Sequence, residues 1–230
     1  MPPNSPWRNS IDLPMKYKCL VFDHDDTVVN STATIHHPCF QKFLDIYYPG
    51  RTCSLDEYFA KNFDPGFLPM CRDEYGMTPA DLDRETAFWR AYVKDRIPAA
   101  YEGLRTIMER HKASGGILAV ISHSFKDNIL RDYAANGLPT PDAVYGWELS
   151  EEKRKPSPWA LYDIMERYSL APDEILVIDD LKPGYDMASD AGVPFAAACW
   201  AYDIESIRSF MRAKSPLCFN SVAELDEYLT

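Results

Sequence analysis

Short runs of apolar residues alternate with amphipathic stretches along most of the chain. Between the later runs, apolar residues recur at helical spacing, as Leu161, Ile164 and Tyr168 do. Five runs have the continuous apolar character of strands buried on both faces, at residues 17–22, 117–121, 143–145, 175–178 and 195–199. Buried strands that alternate with amphipathic helices are typical of an α/β fold. The pattern therefore predicts a doubly wound parallel sheet with helices on both faces.

The pattern changes between residues 34 and 98, where helical spacing occurs without a strand signal. Residues 54–57 form a capping-box sequence, and Thr78 with Pro79 opens a further helix. An all-helical segment inserted directly after the first strand is the natural interpretation. We expect three parts, namely a tail at residues 1–16, a core made of residues 17–33 and 99–230, and a helical insertion at residues 34–98.

Composition and charge narrow the range of partners. The 230 residues include 35 acidic and 24 basic side chains, a formal net charge of −11, which argues against nucleic acid as a partner. No apolar run approaches the roughly 20 residues of a spanning helix, and residues 1–7 do not resemble a signal peptide, so we expect a soluble protein without a membrane partner. The six cysteines show no C-x-x-C pair, which indicates reduced thiols in a cytoplasmic protein. A monomer and a homodimer both remain open.

Polar side chains follow the predicted strands at the points where the strands end or in the loops beyond. In a parallel sheet these points lie at one edge, where α/β proteins bind their ligands. Carboxylates there can serve as nucleophile and as general acid and base, and a hydroxyl and an ammonium group can hold phosphate oxygens. Such a set suits phosphoryl transfer. The residues concerned are Asp23, Asp25, Ser122, Lys155, Asp179 and Asp180.

The charges of this set point to a metal ion. The carboxylates greatly outnumber the one cation, Lys155, so they would repel a phosphate and raise one another's pKa values. A bound cation removes both difficulties. Mg²⁺ is the expected ion, because it prefers oxygen ligands and bridges carboxylates to substrate phosphates.

Four ordered motifs resemble those of the haloacid dehalogenase-like superfamily of phosphatases and phosphomutases, in particular the branch of phosphoglycolate phosphatase and β-phosphoglucomutase, which has a helical cap. The resemblance implies a Rossmann-like core, and it places residues 34–98 as a cap that closes over the site and selects the substrate. Any one motif would be weak, but the ordered set is specific. The motifs are Phe22–Thr27, Val120–Ser122, Lys155–Pro158 and Ile178–Gly184.

The resemblance also implies a role for each residue. Asp23 would be phosphorylated on its side chain, and Asp25 would protonate the leaving oxygen and then activate water. Ser122 and Lys155 would bind the transferring phosphoryl group, and the backbone N–H of His123 is a further candidate for that role. The implied Mg²⁺ ligands are Asp23, the main-chain carbonyl of Asp25, Asp179 and, as a further candidate, Asp180.

The function expected is therefore a Mg²⁺-dependent phosphatase that acts on a small phosphorylated metabolite. A phosphomutase uses the same core residues and stays open as an alternative, as does a non-catalytic relative that binds phosphate. Asp25 argues against dehalogenation, because a halide leaves without a proton. Asp26 stands where relatives commonly have a small residue, and we expect it to stabilise its own turn rather than to act as a third catalytic carboxyl.

Several residues of the insertion are of types that can bind a ligand, but we expect each of them at the surface, at a helix start or in the cap core. His36 and His37 point about 100° apart on a helix, so at most one can face the site, and we expect them at a helix start or on the cap surface. The cations Arg51, Lys61, Arg72 and Arg90 are expected on the surface. The aromatic residues at helical spacing are expected in the cap core, and they are Phe40, Tyr47, Tyr58, Phe59 and Trp89.

Overall fold

A parallel sheet forms the core of the computed structural model, which describes residues 16–230, so the predicted tail at 1–16 lies outside the described residues except for Lys16. The sheet has six strands in the order β3-β2-β1-β4-β5-β6, and every neighbouring pair is parallel. The predicted doubly wound α/β architecture is confirmed. The strands are β1 Cys19–Phe22, β2 Ile117–Ile121, β3 Ala143–Tyr145, β4 Ile175–Asp179, β5 Phe195–Ala198 and β6 Leu217–Phe219.

Helices cover both faces of this sheet because successive side chains of a strand point to opposite sides. The core helices are α5 Leu104–Ala113, α6 Lys126–Ala135, α7 Trp159–Tyr168, α8 Lys182–Ala191, α9 Glu205–Lys214 and α10 Val222–Leu229. Leu20 and Phe22 of β1 pack on one face with α5, α6 and α10, and Cys19 and Val21 pack on the other with α7, α8 and α9. No helix in the described part of the chain is long and apolar enough to cross a membrane.

The register of the three central strands brings their carboxyl ends to one level. Phe22 at the end of β1 lies opposite Val120 of β2 and Ile178 of β4. The residues that follow these positions therefore emerge side by side at the same edge of the sheet. This geometry explains why polar residues far apart in the sequence form one site.

Residues 32–93 form the helical insertion between β1 and α5. A π-helical turn, Thr32–His36, leads into α1, and a second one, Met70–Glu74, follows α3. Both Ser54 and Thr78 cap their helices with complete capping boxes. The α-helices of the insertion are α1 His37–Tyr47, α2 Leu55–Phe63, α3 Phe67–Pro69 and α4 Pro79–Val93. They enclose an aromatic core of their own around Phe40 and Phe43.

The structure departs from the predicted elements near the C-terminus. The helix α9 and the strand β6 were not predicted, because α9 buries only Ile207 and Met211 and β6 is a half-buried strand of three residues. At the start of α10, the capping-box sequence Ser221–Glu224 forms only half of its hydrogen bonds. Ser221 accepts from the Glu224 amide, but the Glu224 carboxylate accepts from Asn220 rather than from Ser221.

Candidate active site

A buried lysine joins two of the predicted carboxylates at the centre of the site. Lys155 Nζ donates to Asp23 Oδ1 at 2.8 Å and to Asp179 Oδ2 at 2.7 Å, and all three side chains are buried. Burial acts to lower the pKa of Lys155, but the charges of Asp179 and Asp23 outweigh it and hold that pKa above its ordinary value. Lys155 therefore stays charged and fixes the position of the Asp23 carboxylate.

Three carboxylates around this lysine form a cluster suited to a metal ion. Oxygen atoms of Asp23, Asp179 and Asp180 lie within 4.8 Å of one another, and all three residues are buried. Burial raises the pKa of Asp179 to about 6, although Lys155 acts against it. Burial and the charge of Asp179 raise the pKa of Asp180 well above its ordinary value. A cluster of buried oxygen donors with more negative than positive charge fits Mg²⁺.

The first turn of α8 packs directly against Asp179. The amide of Leu181 donates to Asp179 Oδ1 at 2.9 Å. A Cβ atom built on Gly184 would lie 2.1 Å from Asp179 Oδ2, so only glycine fits at this position. The carboxylate of Asp179 is thus held between Lys155 on one side and the helix backbone on the other.

Asp25 lies beside this cluster in a dense set of hydrogen bonds. Its Oδ1 accepts from Ser31 Oγ at 2.7 Å and from His36 Nε2 at 2.8 Å, and its Oδ2 accepts from Ser124 Oγ at 2.5 Å. Burial acts to raise the pKa of Asp25, but the charge and hydrogen bond of His36 outweigh it and hold that pKa far below its ordinary value. In the free protein Asp25 is therefore ionised.

His36, like Ser31 and Ser124, was not predicted to contact the site. It does lie at the start of α1, as expected, but its ring points to Asp25 rather than to the cap surface. Trp89 Nε1 donates to His36 Nδ1 at 2.9 Å. In the neutral ring that nitrogen carries the lone pair and the proton sits on Nε2, and in the charged ring both nitrogens carry protons, so in either form an Nε2–H group faces Asp25. No sequence motif marks this contact, since it depends on how the insertion docks on the core.

Asp26 occupies the turn after Asp23 in the way its residue type suggests. Its φ of +60° lies in the left-handed region, which Asp tolerates better than most residues. Its Oδ1 accepts from the Thr32 amide at 3.2 Å. The carboxylate therefore bonds to the backbone at the start of the insertion, six residues on, rather than within its own turn.

The remaining predicted residues lie at the end of β2. Ser122 is buried, and its Oγ accepts from the Ser124 amide at 3.1 Å. The ring of His123 donates from Nε2 to the Lys155 carbonyl at 3.0 Å and so links this loop to the lysine. Ser122, His123 and Lys155 all line one cavity together with Asp23 and Asp25.

That cavity, of about 190 Å³, lies between the helical insertion and the core. The insertion contributes mostly apolar and aromatic side chains to its wall. Tyr58 is buried in the cap core, whereas Phe59 is buried in the hydrophobic cluster of the sheet domain beside Tyr202. Both residues also line the cavity, as does Trp89, and Tyr47 is 42% exposed. The expected cap core is therefore wrong for Phe59 and Tyr47.

None of the four cations considered in the insertion lines this cavity. Arg51 and Lys61 bind Glu74 at the surface, and Arg90 forms a bidentate pair with Asp127 of α6 at 2.7 and 2.8 Å. Arg72 is exposed. The expected surface location agrees with the structure.

Comparison with known proteins identifies the family. Residues 20–198 match the family of haloacid dehalogenase-like hydrolases. A phosphoglycolate phosphatase from Mesorhizobium japonicum is 25% identical over 134 residues, which make up 57% of this chain and 59% of the relative. The similarity thus spans less than two thirds of that relative's length.

Solved structures share the fold. A predicted phosphoglycolate phosphatase from Haemophilus somnus superposes with a TM-score of 0.72 at 20% identity, over 94% of this chain and 99% of that one. The protein CbbY from Rhodobacter sphaeroides, a mutant crystallised with xylulose-(1,5)bisphosphate, gives a TM-score of 0.63 at 20% identity, over 91% and 96%. The matched residues include all four motifs. The resemblance to the haloacid dehalogenase-like family that these motifs predicted is confirmed. The chain belongs to the haloacid dehalogenase-like hydrolase family.

Proposed function

We propose that the protein is a Mg²⁺-dependent phosphatase that hydrolyses a small phosphomonoester through a phosphorylated Asp23. The observation that carries this proposal is the buried Asp23 carboxylate, oriented by Lys155 and placed next to Asp25 in a cavity covered by the helical insertion. A nucleophile with a neighbouring acid and base is the arrangement that two-step hydrolysis requires. The mutase alternative rests on the same residues, and no contact in the described structure favours it.

In the first step, an oxygen of Asp23 attacks phosphorus and the ester P–O bond breaks. Asp25 gives its proton to the leaving oxygen. Asp25, ionised in the free protein, takes up this proton from solvent when the dianionic phosphate binds, because the negative charge of the phosphate raises the pKa of the neighbouring carboxylate. Lys155 and Ser122 would hold the phosphoryl oxygens during transfer.

In the second step, Asp25 takes a proton from water and the water oxygen attacks the phosphorus of phospho-Asp23. The P–O bond to Asp23 breaks, so the carboxylate is restored and inorganic phosphate leaves. Asp23, Asp179 and Asp180 would hold Mg²⁺, with the Asp25 carbonyl as a further ligand, and the ion would neutralise charge on the phosphoryl oxygens. His36, through its Nε2–H bond, keeps Asp25 aimed at the cavity.

The test is phosphate release from p-nitrophenyl phosphate and from a panel of small phosphomonoesters, with Mg²⁺ and without a sugar acceptor. The wild type should release phosphate, chelation should stop the reaction, and Asp23→Asn should abolish it with the fold intact. A few percent or more of wild-type activity in Asp23→Asn, with contamination excluded, would contradict the role of Asp23. Phosphate transfer only to an added sugar would favour the mutase.

We also propose a cytoplasmic location, on the ground that the six cysteines are free thiols.

A further inference from the structure

Glu85 is a buried carboxyl that the proposed reaction does not use. It lies on α4 in the insertion, is 6% exposed, and lines the cavity above Asp23 and Asp25. Within residues 16–230, no hydrogen bond or ion pair involves its carboxylate, and the one charge that acts on it is that of His36. An acidic group of this kind is costly to bury without a partner, which points to a partner that comes from outside the protein.

The electrostatic setting of Glu85 supports this reading. Burial raises its pKa to about 7, and the only opposing influence is the charge of His36. The His36 ring itself bonds to Asp25 and Trp89, so it does not pair with Glu85. A cation in the cavity would favour the ionised carboxylate and gain a hydrogen bond that the free protein lacks.

The wall around Glu85 suits a cation and disfavours a second anion. Among the described residues that line the cavity, Lys155 is the one Lys or Arg side chain, and it is already bound to Asp23 and Asp179. A substrate carboxylate or second phosphate would therefore find no free basic side chain and would face Glu85. Aromatic faces attract cations. The aromatic lining residues are Tyr58, Phe59, Phe67, Trp89, Phe125 and Trp147.

We propose that Glu85 selects phosphomonoesters whose alcohol carries a positively charged nitrogen, that is, phosphorylated amino alcohols. This inference rests on the proposed phosphatase function and names its substrate class. The phosphate would lie on Ser122 and Lys155, and the ammonium group would reach the carboxylate of Glu85 between the aromatic rings. Glu85 is then a specificity-determining residue that takes no part in the transfer of the phosphoryl group.

The test compares three esters that differ mainly in the end of the alcohol: O-phosphoethanolamine with an ammonium, ethyl phosphate with a methyl, and 2-phosphoglycolate with a carboxylate. The full chain with Mg²⁺ should show the highest kcat/KM for O-phosphoethanolamine and the lowest for 2-phosphoglycolate. Glu85→Gln should reduce the ratio of kcat/KM for O-phosphoethanolamine over ethyl phosphate by about 10- to 100-fold, the effect of losing one charged hydrogen bond.

Asp83→Asn is the matched control, since it removes the same charge from an exposed position of α4. It should leave that ratio unchanged. Equal or better turnover of 2-phosphoglycolate by the wild type would overturn the inference, as would an unchanged ratio in Glu85→Gln. Hydrolysis of p-nitrophenyl phosphate separates the two proposals: if it occurs without a preference for the amine, only the substrate class is wrong, and if it fails, the proposed function is wrong.

Discussion

Two carboxylates less than three residues apart in sequence, Asp23 and Asp25, have different environments in this site. Asp23 faces the ammonium of Lys155, whereas Asp25 faces the hydroxyls of Ser31 and Ser124 and the ring of His36. In the proposed mechanism, the first environment orients the nucleophile. The second offers hydrogen bonds to the group proposed to give and take a proton, so the two surroundings suit the two proposed roles.

Asp25→Asn should separate the two steps of the reaction. With p-nitrophenyl phosphate the leaving group needs little protonation, so transfer to Asp23 should survive, while water attack loses its base. We expect a burst of nitrophenolate close to one equivalent, followed by release slowed about 10²- to 10⁴-fold. Stopped-flow absorbance measures both phases. Steady turnover near the wild-type rate would show that another group activates water, and Asp26 would be the next residue to test.

The burial of Glu85 should be visible in the stability of the protein without substrate. Its pKa is about 7 in the folded protein and about 4.5 when unfolded, so the unfolded chain binds fewer protons between these values and stability falls as pH rises through that window. Glu85→Gln removes this effect. We expect its gain in unfolding free energy over the wild type to be about 2 kcal/mol larger at pH 8 than at pH 5.

Urea unfolding at the two pH values measures this difference, and the exposed Asp83→Asn serves as the control. If Glu85→Gln gains the same unfolding free energy over the wild type at both pH values, then Glu85 is ionised and paired in the folded protein.

At the scale of elements, the helix α8 shapes the proposed metal site through its backbone. Gly184→Ala places a Cβ where the Asp179 carboxylate now lies, 2.1 Å from Oδ2, so the carboxylate must move. We expect the Mg²⁺ concentration for half-maximal activity to rise by about 10-fold or more. Ser189→Ala, at an exposed position of the same helix, is the control and should leave the Mg²⁺ dependence unchanged. An unchanged dependence in Gly184→Ala would show that Asp179 is not a ligand.

The strands were predictable where burial is complete. Val21 and Val177 come from fully buried strands, and such strands appear in the sequence as unbroken apolar runs. The parallel arrangement predicted that the polar residues beyond their ends would lie together, and the four ordered motifs indicated which of those residues form the site. The short edge strand β6 leaves all of its residues half-buried, so its sequence carries no comparable signal.

The contacts of His36 and Glu85 were not predictable in the same way. Both residues lie on helices of the insertion, and helical periodicity shows which residues share a face but not what that face meets. Only the docking of the insertion on the core brings His36 to Asp25 and Glu85 over the cavity. A polar residue within the apolar face of a helix would be the one hint of such a contact in the sequence. The sequence alone does not show whether such a residue is buried or lies at the surface.

At the scale of the whole molecule, the insertion is joined to the core by two chain segments that bond to each other. The Asn30 amide donates to the Ala99 carbonyl at 2.9 Å, and the Tyr101 amide donates to the Val28 carbonyl at 3.0 Å. Beyond them, Arg90 of α4 in the insertion pairs with Asp127 of α6 in the core at the protein surface. The paired segments are placed to act as a hinge, and the surface ion pair is weak enough to break when the insertion opens.

We expect the insertion to open and close over the core as substrate enters. Mg²⁺ with beryllium fluoride, an analogue of the phosphoryl group, should slow hydrogen exchange in residues 31–33 and 98–101 and on the cavity side of α4. Mass spectrometry of exchanged peptides measures this, and Mg²⁺ alone is the control. If neither these residues nor the loops at Asp23 and Ser122 respond, the insertion is not a lid.

The central claim is that Asp23 carries the phosphoryl group, and one measurement tests it directly. Asp25→Asn, mixed with p-nitrophenyl phosphate and Mg²⁺ and quenched in acid during the slow phase, is digested, and its peptides are fragmented in the mass spectrometer. Close to one phosphoryl group per chain, located on Asp23, is the predicted result. A phosphoryl group on another residue, or an unmodified chain after a full burst of nitrophenolate, would contradict the mechanism.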